Sequence, residues 1–183
     1  MTVSLLPEDF DERVNSAVRA FWIGRSAVKT KRKQGGSRDS VVGGQNMNGF
    51  IDLVDRVTAH CGLPAGTVHR RKSKVALPGF FRPTKDWDAV VIHNQRLLGV
   101  FEFKSQVGSF GKNFNNRSEE VIGSAADLWV AHHQGAYGHR PKPRNDIAED
   151  SPALLNPIYQ ADPRPPFVGW LMLLQECADS ERE

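Results

Sequence analysis

Apolar residues recur along this chain with a period that changes, and the changes divide it into elements. From residue 8 to about 26, Phe10, Val14, Val18, Ala20, Phe21 and Ile23 come at helical spacing behind Pro7. Asp9, Asp11 and Glu12 suit the first turn of such a helix. Residues 27–44 lose the period, and their basic side chains, Gly35-Gly36, Ser37 and Gly43-Gly44 predict a mobile basic loop. A second helix is expected from about Asn46 to His60, with Met47, Phe50, Ile51, Val54 and Val57 on one face and Gly62 and Pro64 ending it. Val68 to Ala76 reads as a strand. The period then shortens to two: residues 79–92 and 99–106 read as two apolar strands joined by a tight turn at His93-Asn94-Gln95-Arg96. Gln106 to Arg117 is rich in Gly and Asn, which predicts a loop. From Ser118 to about His133 a helix is expected, with Val121, Ile122, Ala125, Leu128 and Trp129 on its buried side. Residues 134–165 hold much of the proline and predict a long surface loop. The run 166–174 is continuously apolar and suits a strand buried on both faces.

Composition narrows the class without naming a function. A chain of 183 residues suits a single domain, 1–183, and its 39% hydrophobic and 25% charged content describe an ordinary globular protein. No apolar run approaches a membrane span, and the N-terminus lacks the basic start and long apolar centre of a signal peptide. Cys61 and Cys177 form no disulfide framework and no zinc-ligand spacing. These features predict a reduced, cytoplasmic protein with no membrane contact. A net charge of +3 says little, but Lys29 to Lys33 and His69 to Lys74 are dense basic runs. Each is by itself as readily a solvated surface; both beside one acidic site would suit a polyanion.

The acidic groups of the apolar hairpin change the picture most. Asp88 opens its first strand, and Glu102 and Lys104 lie two apart in the second, hence on one face. Carboxylates and an amine beside a buried sheet are unfavourable unless a cation or substrate compensates them. Two carboxylates from separate strands can hold Mg²⁺, which takes few protein ligands, and the carbonyl of Phe103 lies between the acid and the lysine as a further ligand. A lysine beside the ion can orient or deprotonate the attacking water and offset developing charge. The alternative is a salt-bridged edge strand. Register adds a constraint: a regular two-residue turn at Asn94-Gln95 would set Asp88 opposite Phe101, on the wrong face from Glu102. A shared ion therefore requires a three-residue loop, a bulge, or Asp88 just outside the ladder, with Asp86 as the fallback ligand.

Candidate contacts to a polyanion surround this set. Lys112, Asn113, Asn115, Asn116 and Arg117 carry amide, ammonium and guanidinium groups that can read base edges, although the asparagines could equally cap the next helix. Arg82 and Lys85 flank the expected metal and suit the scissile phosphate. Lys29, Lys31, Arg32, Lys33, Arg70, Arg71 and Lys72 are candidate phosphate contacts.

The blocks from Pro78 to Asp88, from Glu102 to Gly108 and from Phe110 to Glu120, in that order, resemble the XhoI-type restriction endonucleases of the PD-(D/E)xK nuclease superfamily. The likeness extends over Gly123 to Trp129 and Gly169 to Leu174, and more weakly to Gln45–Phe50. It implies an α/β fold with a restriction-endonuclease-like core, a central mixed β-sheet flanked by helices. It also implies a Mg²⁺-dependent type II endonuclease acting as a homodimer on double-stranded DNA at the palindrome CTCGAG. Carried over by position, Asp88 and Glu102 would be metal ligands and Lys104 the catalytic lysine, with Asp52 on a preceding helix as a further acidic candidate. Family members continue beyond the late strand, so a shortened C-terminal segment is expected here. That leaves a non-cleaving DNA-binding relic, or a repair or junction nuclease of the same superfamily, as alternatives.

Overall fold

In the computed structural model, residues 4–31, 47–70, 72–107, 110–137 and 164–180 are described. The chain divides into two compact units, Met1–Val68 and His69–Glu183, each taken here by itself.

Helix α1, Phe10–Lys31, begins behind Pro7, as the proline and the acidic first turn require. It continues past residue 26, so the expected loop starts later than its composition suggests. Lys29 and Lys31 thus lie on helical backbone, whereas Arg32, Lys33 and the rest of the expected loop fall outside the described residues. Helix α2, Asn48–His60, buries Phe50 and Ile51 and ends where Gly62 follows it. Asp9 joins the two helices: its carboxylate takes Arg13 Nε at 2.5 Å and Arg56 Nε at 3.0 Å.

The second unit is built on a mixed sheet. Strand β1, Val68–His69, is short, and a single helical turn, α3 (Lys72–Val75), replaces the continuous strand expected up to Ala76. Then come β2 (Ala76–Pro78), β3 (Thr84–Asp86), β4 (Ala89–His93) and β5 (Arg96–Gln106). Helix α4 is Phe110–His133, and β6 is Phe167–Leu174. The main sheet has the order β1-β4-β5-β6, and β2 and β3 form a separate pair. β4 runs antiparallel and β6 parallel to β5, so the α/β fold has the mixed sheet the residues imply. Among the described residues β6 is an edge strand with Phe167 and Leu174 more than half exposed, not one buried on both faces. The expected loop of 134–165 is described only to Tyr137 and from Arg164.

One irregularity sets the register of the hairpin. The turn is the tight one expected: Asn94 and Gln95 alone connect the strands, both with positive φ (50° and 60°), the form that matches strand twist. Pairing then shifts between Val91 and Ile92, because Ile92 faces Leu97 while Val91 faces Gly99, which leaves Leu98 as a bulge. The consequence is a change of face. Leu97 and Val100 both join Val90 and Ile92 in the core, with Val75, Leu77, Trp87, Leu128, Ala131 and Tyr137. Uninterrupted alternation along β5 would instead place Leu97 on the face of Phe101 and Phe103. On that side Phe101 lies across Gly169 of β6, its register partner, where any Cβ would run into the ring.

Candidate active site

Beyond the bulge, Ala89 faces Phe101, and the ladder ends there. Asp88 lies just before the ladder, and its amide donates to the Phe101 carbonyl at 3.1 Å. Its side chain turns back to accept the Phe103 amide on Oδ2 at 2.7 Å. Of the routes to a shared face, the structure thus uses a bulge together with a position outside the ladder. The main chain of Phe103 thus meets Asp88 through its N–H. Asp86 stands exposed on β3, one residue out of phase with Lys85, and does not join the group.

Glu102 is 4% exposed and held by two ammonium groups, Lys85 Nζ at 3.1 Å and Lys104 Nζ at 2.5 Å. Lys85 comes from β3, where alternation aims it inward between exposed Thr84 and Asp86, and it lies over the Trp87 ring at 4.6 Å. A residue read as a phosphate contact is therefore, in this geometry, a partner of the buried carboxylate. Lys104 also reaches Glu120 Oε1 at 3.3 Å and lies 6.0 Å from the Trp170 ring. Burial works against the Lys104 ammonium, but the hydrogen bond and charge of Glu102, with Glu120, outweigh it and hold its pKa above the ordinary lysine value. Burial pushes the Asp88 carboxyl up, and the Glu102 charge adds to this against the Phe103 hydrogen bond and the lysines.

These groups suit a hard divalent cation. Among the described residues no three His, Cys, Asp or Glu side chains stand close enough to hold a metal by themselves. What stands here is the buried Glu102, drawing two ammonium groups, beside the half-buried Asp88 whose carboxyl its charge pushes up, a donor set that fits Mg²⁺, an ion that keeps several waters.

Around the group, the expected reading loop is largely helix. α4 starts at Phe110, so Lys112, Asn113, Asn115, Asn116 and Arg117 lie in its early turns and do not cap it. Low helix propensity in this run is overridden by its place in the fold. The side chains of Lys112 and Asn113 fall outside the described residues; Asn115 and Asn116 are exposed, and Arg117 Nη1 pairs with Glu120 Oε2 at 2.8 Å. Arg70 is exposed beyond β1, Arg71 falls outside the described residues, and the Lys72 side chain is likewise not described. Asp52 is an exposed residue of α2 in the first unit.

Two acids without a predicted role have definite ones here. Glu120 contacts Lys104, as above. Asp127 is 2% exposed on α4 and braces the β2–β3 loop. Its Oδ1 accepts the Phe80 amide at 2.8 Å and the Phe81 amide at 2.7 Å, and its Oδ2 pairs with Arg82 Nε at 3.0 Å. Arg82 is thus partly engaged within the protein. Gly79 must be glycine, since a Cβ would collide with the Asp127 carboxylate and approach the Arg82 carbonyl to 2.7 Å. Tyr137 holds the loop from its other end, donating to the Pro78 carbonyl at 2.6 Å. This loop leads into β3 and so delivers Lys85 to Glu102. The acids were visible in the sequence, but their partners are far along the chain and partly backbone, which no spacing rule reveals.

Comparison with known proteins bears on what such a site does. The family model described as "Restriction endonuclease XhoI" matches residues 26–163. Type II restriction enzyme AbrI of Azospirillum brasilense is 38% identical over 179 residues, which cover 95% of this chain and 70% of that protein. Type II restriction enzyme XhoI of Xanthomonas vasicola is also 38% identical over 179 residues, 63% of its length. Type II restriction enzyme BstVI of Geobacillus stearothermophilus is 36% identical over 156 residues, 59% of its length. The chain thus spans less than two thirds of the latter two relatives. No solved structure matches. Among the described residues no helix is long and apolar enough to cross a membrane.

Proposed function

The chain belongs to the XhoI restriction endonuclease family, and from that membership and the site's geometry we propose that it is a site-specific deoxyribonuclease. It hydrolyses phosphodiesters of double-stranded DNA at a CTCGAG-like palindrome, as a homodimer whose two-fold axis matches that of the target. The observation that supports this reading is the Lys104–Glu102 pair on β5, with the Asp88 carboxylate held by the amide of Phe103 between them.

Asp88 and Glu102 would hold Mg²⁺, with the Phe103 carbonyl as a further ligand. Bound there, Mg²⁺ supplies a positive charge that polarises the phosphodiester and lowers the pKa of water. The Phe103 amide holds the Asp88 carboxylate, and the β5–β6 ladder holds the backbone of Glu102 beside it. Lys104 orients the attacking water and offsets the charge that develops on the phosphate. Lys85 and the exposed part of Arg82 flank the scissile phosphate, while Lys112, Asn113, Asn115, Asn116 and Arg117 on α4 meet the bases and their phosphates. Asp52 is a further acidic candidate, and the cytoplasm, where incoming DNA arrives, is the expected compartment.

Incubation with a plasmid carrying CTCGAG, with Mg²⁺ and mapping of the ends, tests the reading. Defined fragments cut at that sequence are expected, and Glu102→Ala is expected to abolish cutting while retaining DNA binding. Failure to cut across a range of salt and protein concentrations overturns it.

A further inference from the structure

Glu120 stands between two groups with different tasks. Its Oε2 takes Arg117 Nη1 at 2.8 Å and its Oε1 takes Lys104 Nζ at 3.3 Å. Lys104 in turn holds Glu102 at 2.5 Å. Arg117, Glu120, Lys104 and Glu102 therefore form one unbroken chain of ion pairs from an early turn of α4 to the buried carboxylate. Its outer end is open: the Arg117 and Glu120 side chains are 37% and 34% exposed, against 5% for Glu102. An i,i+3 pair on a wet helix face is by itself a weak bond, easily exchanged for a stronger anion. Its inner end is different, because an ammonium shared by two carboxylates moves toward whichever acid loses its other cationic partner.

We propose that Glu120 is a positioning residue that couples DNA contact to catalysis. When the Arg117 guanidinium leaves for a DNA phosphate or guanine edge, the Glu120 carboxylate turns its full charge on Lys104. The ammonium then shifts from Glu102 toward Glu120, which frees Glu102 for its cation and points Lys104 at the water. The coupling is reciprocal: the Arg117–Glu120 pair opposes DNA binding as far as DNA binding breaks the pair. This rests on the nuclease reading for its catalytic half only.

The test compares wild type with E120Q, R117A and the double variant. E119Q serves as the control, because Glu119 is an exposed neighbour that removes the same charge from the same helix. Metal-free affinity for a CTCGAG duplex is read by fluorescence anisotropy, and the single-turnover cleavage rate at saturating enzyme is read with Mg²⁺. E120Q is expected to bind about fivefold more tightly than E119Q and to cleave, once bound, at least about tenfold more slowly. E119Q is expected to cleave at the wild-type rate. R117A is expected to bind more weakly but to cleave, once bound, at about the wild-type rate, because its Glu120 already turns its charge on Lys104, and the double variant is expected to cleave at the E120Q rate. A merely structural Glu120 would weaken binding and cleavage together. The proposal is overturned if E120Q binds no more tightly than E119Q, if it cleaves at the wild-type rate, or if R117A, once bound, cleaves as slowly as E120Q. A wild-type protein that cuts nothing removes the nuclease reading, and the metal-free binding arm still decides the Arg117–Glu120 coupling. Thermal melts identify folded variants, and E120A replaces E120Q should the latter misfold.

Discussion

Replacing Asp127 by Ala tests the bracing of the loop that delivers Lys85. The carboxylate accepts two backbone amides, from Phe80 at 2.8 Å and Phe81 at 2.7 Å, and one Arg82 Nε–H at 3.0 Å. Hydrogen bonds to a charged acceptor contribute about 1.5–3 kcal/mol each. Phe80 and Phe81 are themselves exposed, so water reaches part of the vacated space and about 1–1.5 kcal/mol per amide is the fitting figure. The Arg82 side chain is 42% exposed, and its pair contributes only about 0.5 kcal/mol. Against this, removing a buried charge relieves its desolvation. The net expectation for Asp127→Ala is a loss of about 2–3 kcal/mol, a fall in melting temperature of roughly 4–12 °C for a chain of this size. Asp127→Asn keeps an acceptor for the amides and should lose less than half as much. Arg82→Ala should lose less still. Urea unfolding of the three variants checks the order. A loss at Asp127→Ala no greater than that at Arg82→Ala would refute the claim that the backbone amides are what the acid holds.

Deleting Leu98 should remove the bulge yet keep every other pair of the hairpin in register, so Asp88 keeps its bonds to the Phe101 carbonyl and Phe103 amide and cleavage is retained within about tenfold; loss of cutting in a folded protein would mean that local twist, not register, positions Asp88. Tyr137→Phe should cost about 1 kcal/mol through the lost bond to the Pro78 carbonyl. Burial, with the Asp127 charge, raises the Tyr137 pKa above its usual 10.0, so the folded chain keeps a proton that the unfolded chain releases. Wild-type stability should therefore be level in this group below pH 10 and fall as pH rises past it, and denaturant titrations should show the Phe variant without that fall. Gly169→Ala should destabilise the β5–β6 pair, because the Phe101 ring occupies the space of the new methyl group; an unchanged melting temperature would contradict that packing.

The hairpin was legible because its chemistry is local. Period-two alternation gave β4 and β5, although the expected strand 79–92 breaks into a loop, the separate strand β3 and β4, and Asn94-Gln95 gave a turn whose residues tolerate positive φ. Mixed-sheet topology and the shared face of Glu102 and Lys104 followed from the same pattern and the family blocks. The bulge could be named as a requirement but not located, since Leu98 differs in no chemical way from a regular strand residue. The early turns of α4 were misread because Gly, Lys and Asn favour loops locally, and only their place beside the site keeps them helical. The pairing of Lys85 with Glu102 was not legible for a related reason. The inward direction of Lys85 depends on where β3 begins and on what faces that strand, which is fixed by Asp127 more than forty residues away in sequence. Tertiary partners decide such positions, and a single sequence does not record them.

Charge balance explains why the site stands ready without being strained. Glu102 and Glu120 are joined in ion pairs to Lys85, Lys104 and Arg117, and the Asp88 carboxylate beside them is held by the Phe103 amide. An arriving divalent cation alone would disturb that balance, because it would compete with Lys85 and Lys104 for the same buried carboxylate. An arriving phosphate alone would meet cations already committed to acids. On the proposed function, cation and phosphate together would exchange one set of pairs for another, the carboxylates turning to the cation and the ammonium and guanidinium groups to the DNA. The side chains that neutralise one another on β5 and α4 would then become the substrate's contacts. Helix α4 packs Leu128 and Ala131 into the core while holding Glu120 against Lys104, so the helix that stabilises the fold also fixes the carboxylate on which the exchange turns.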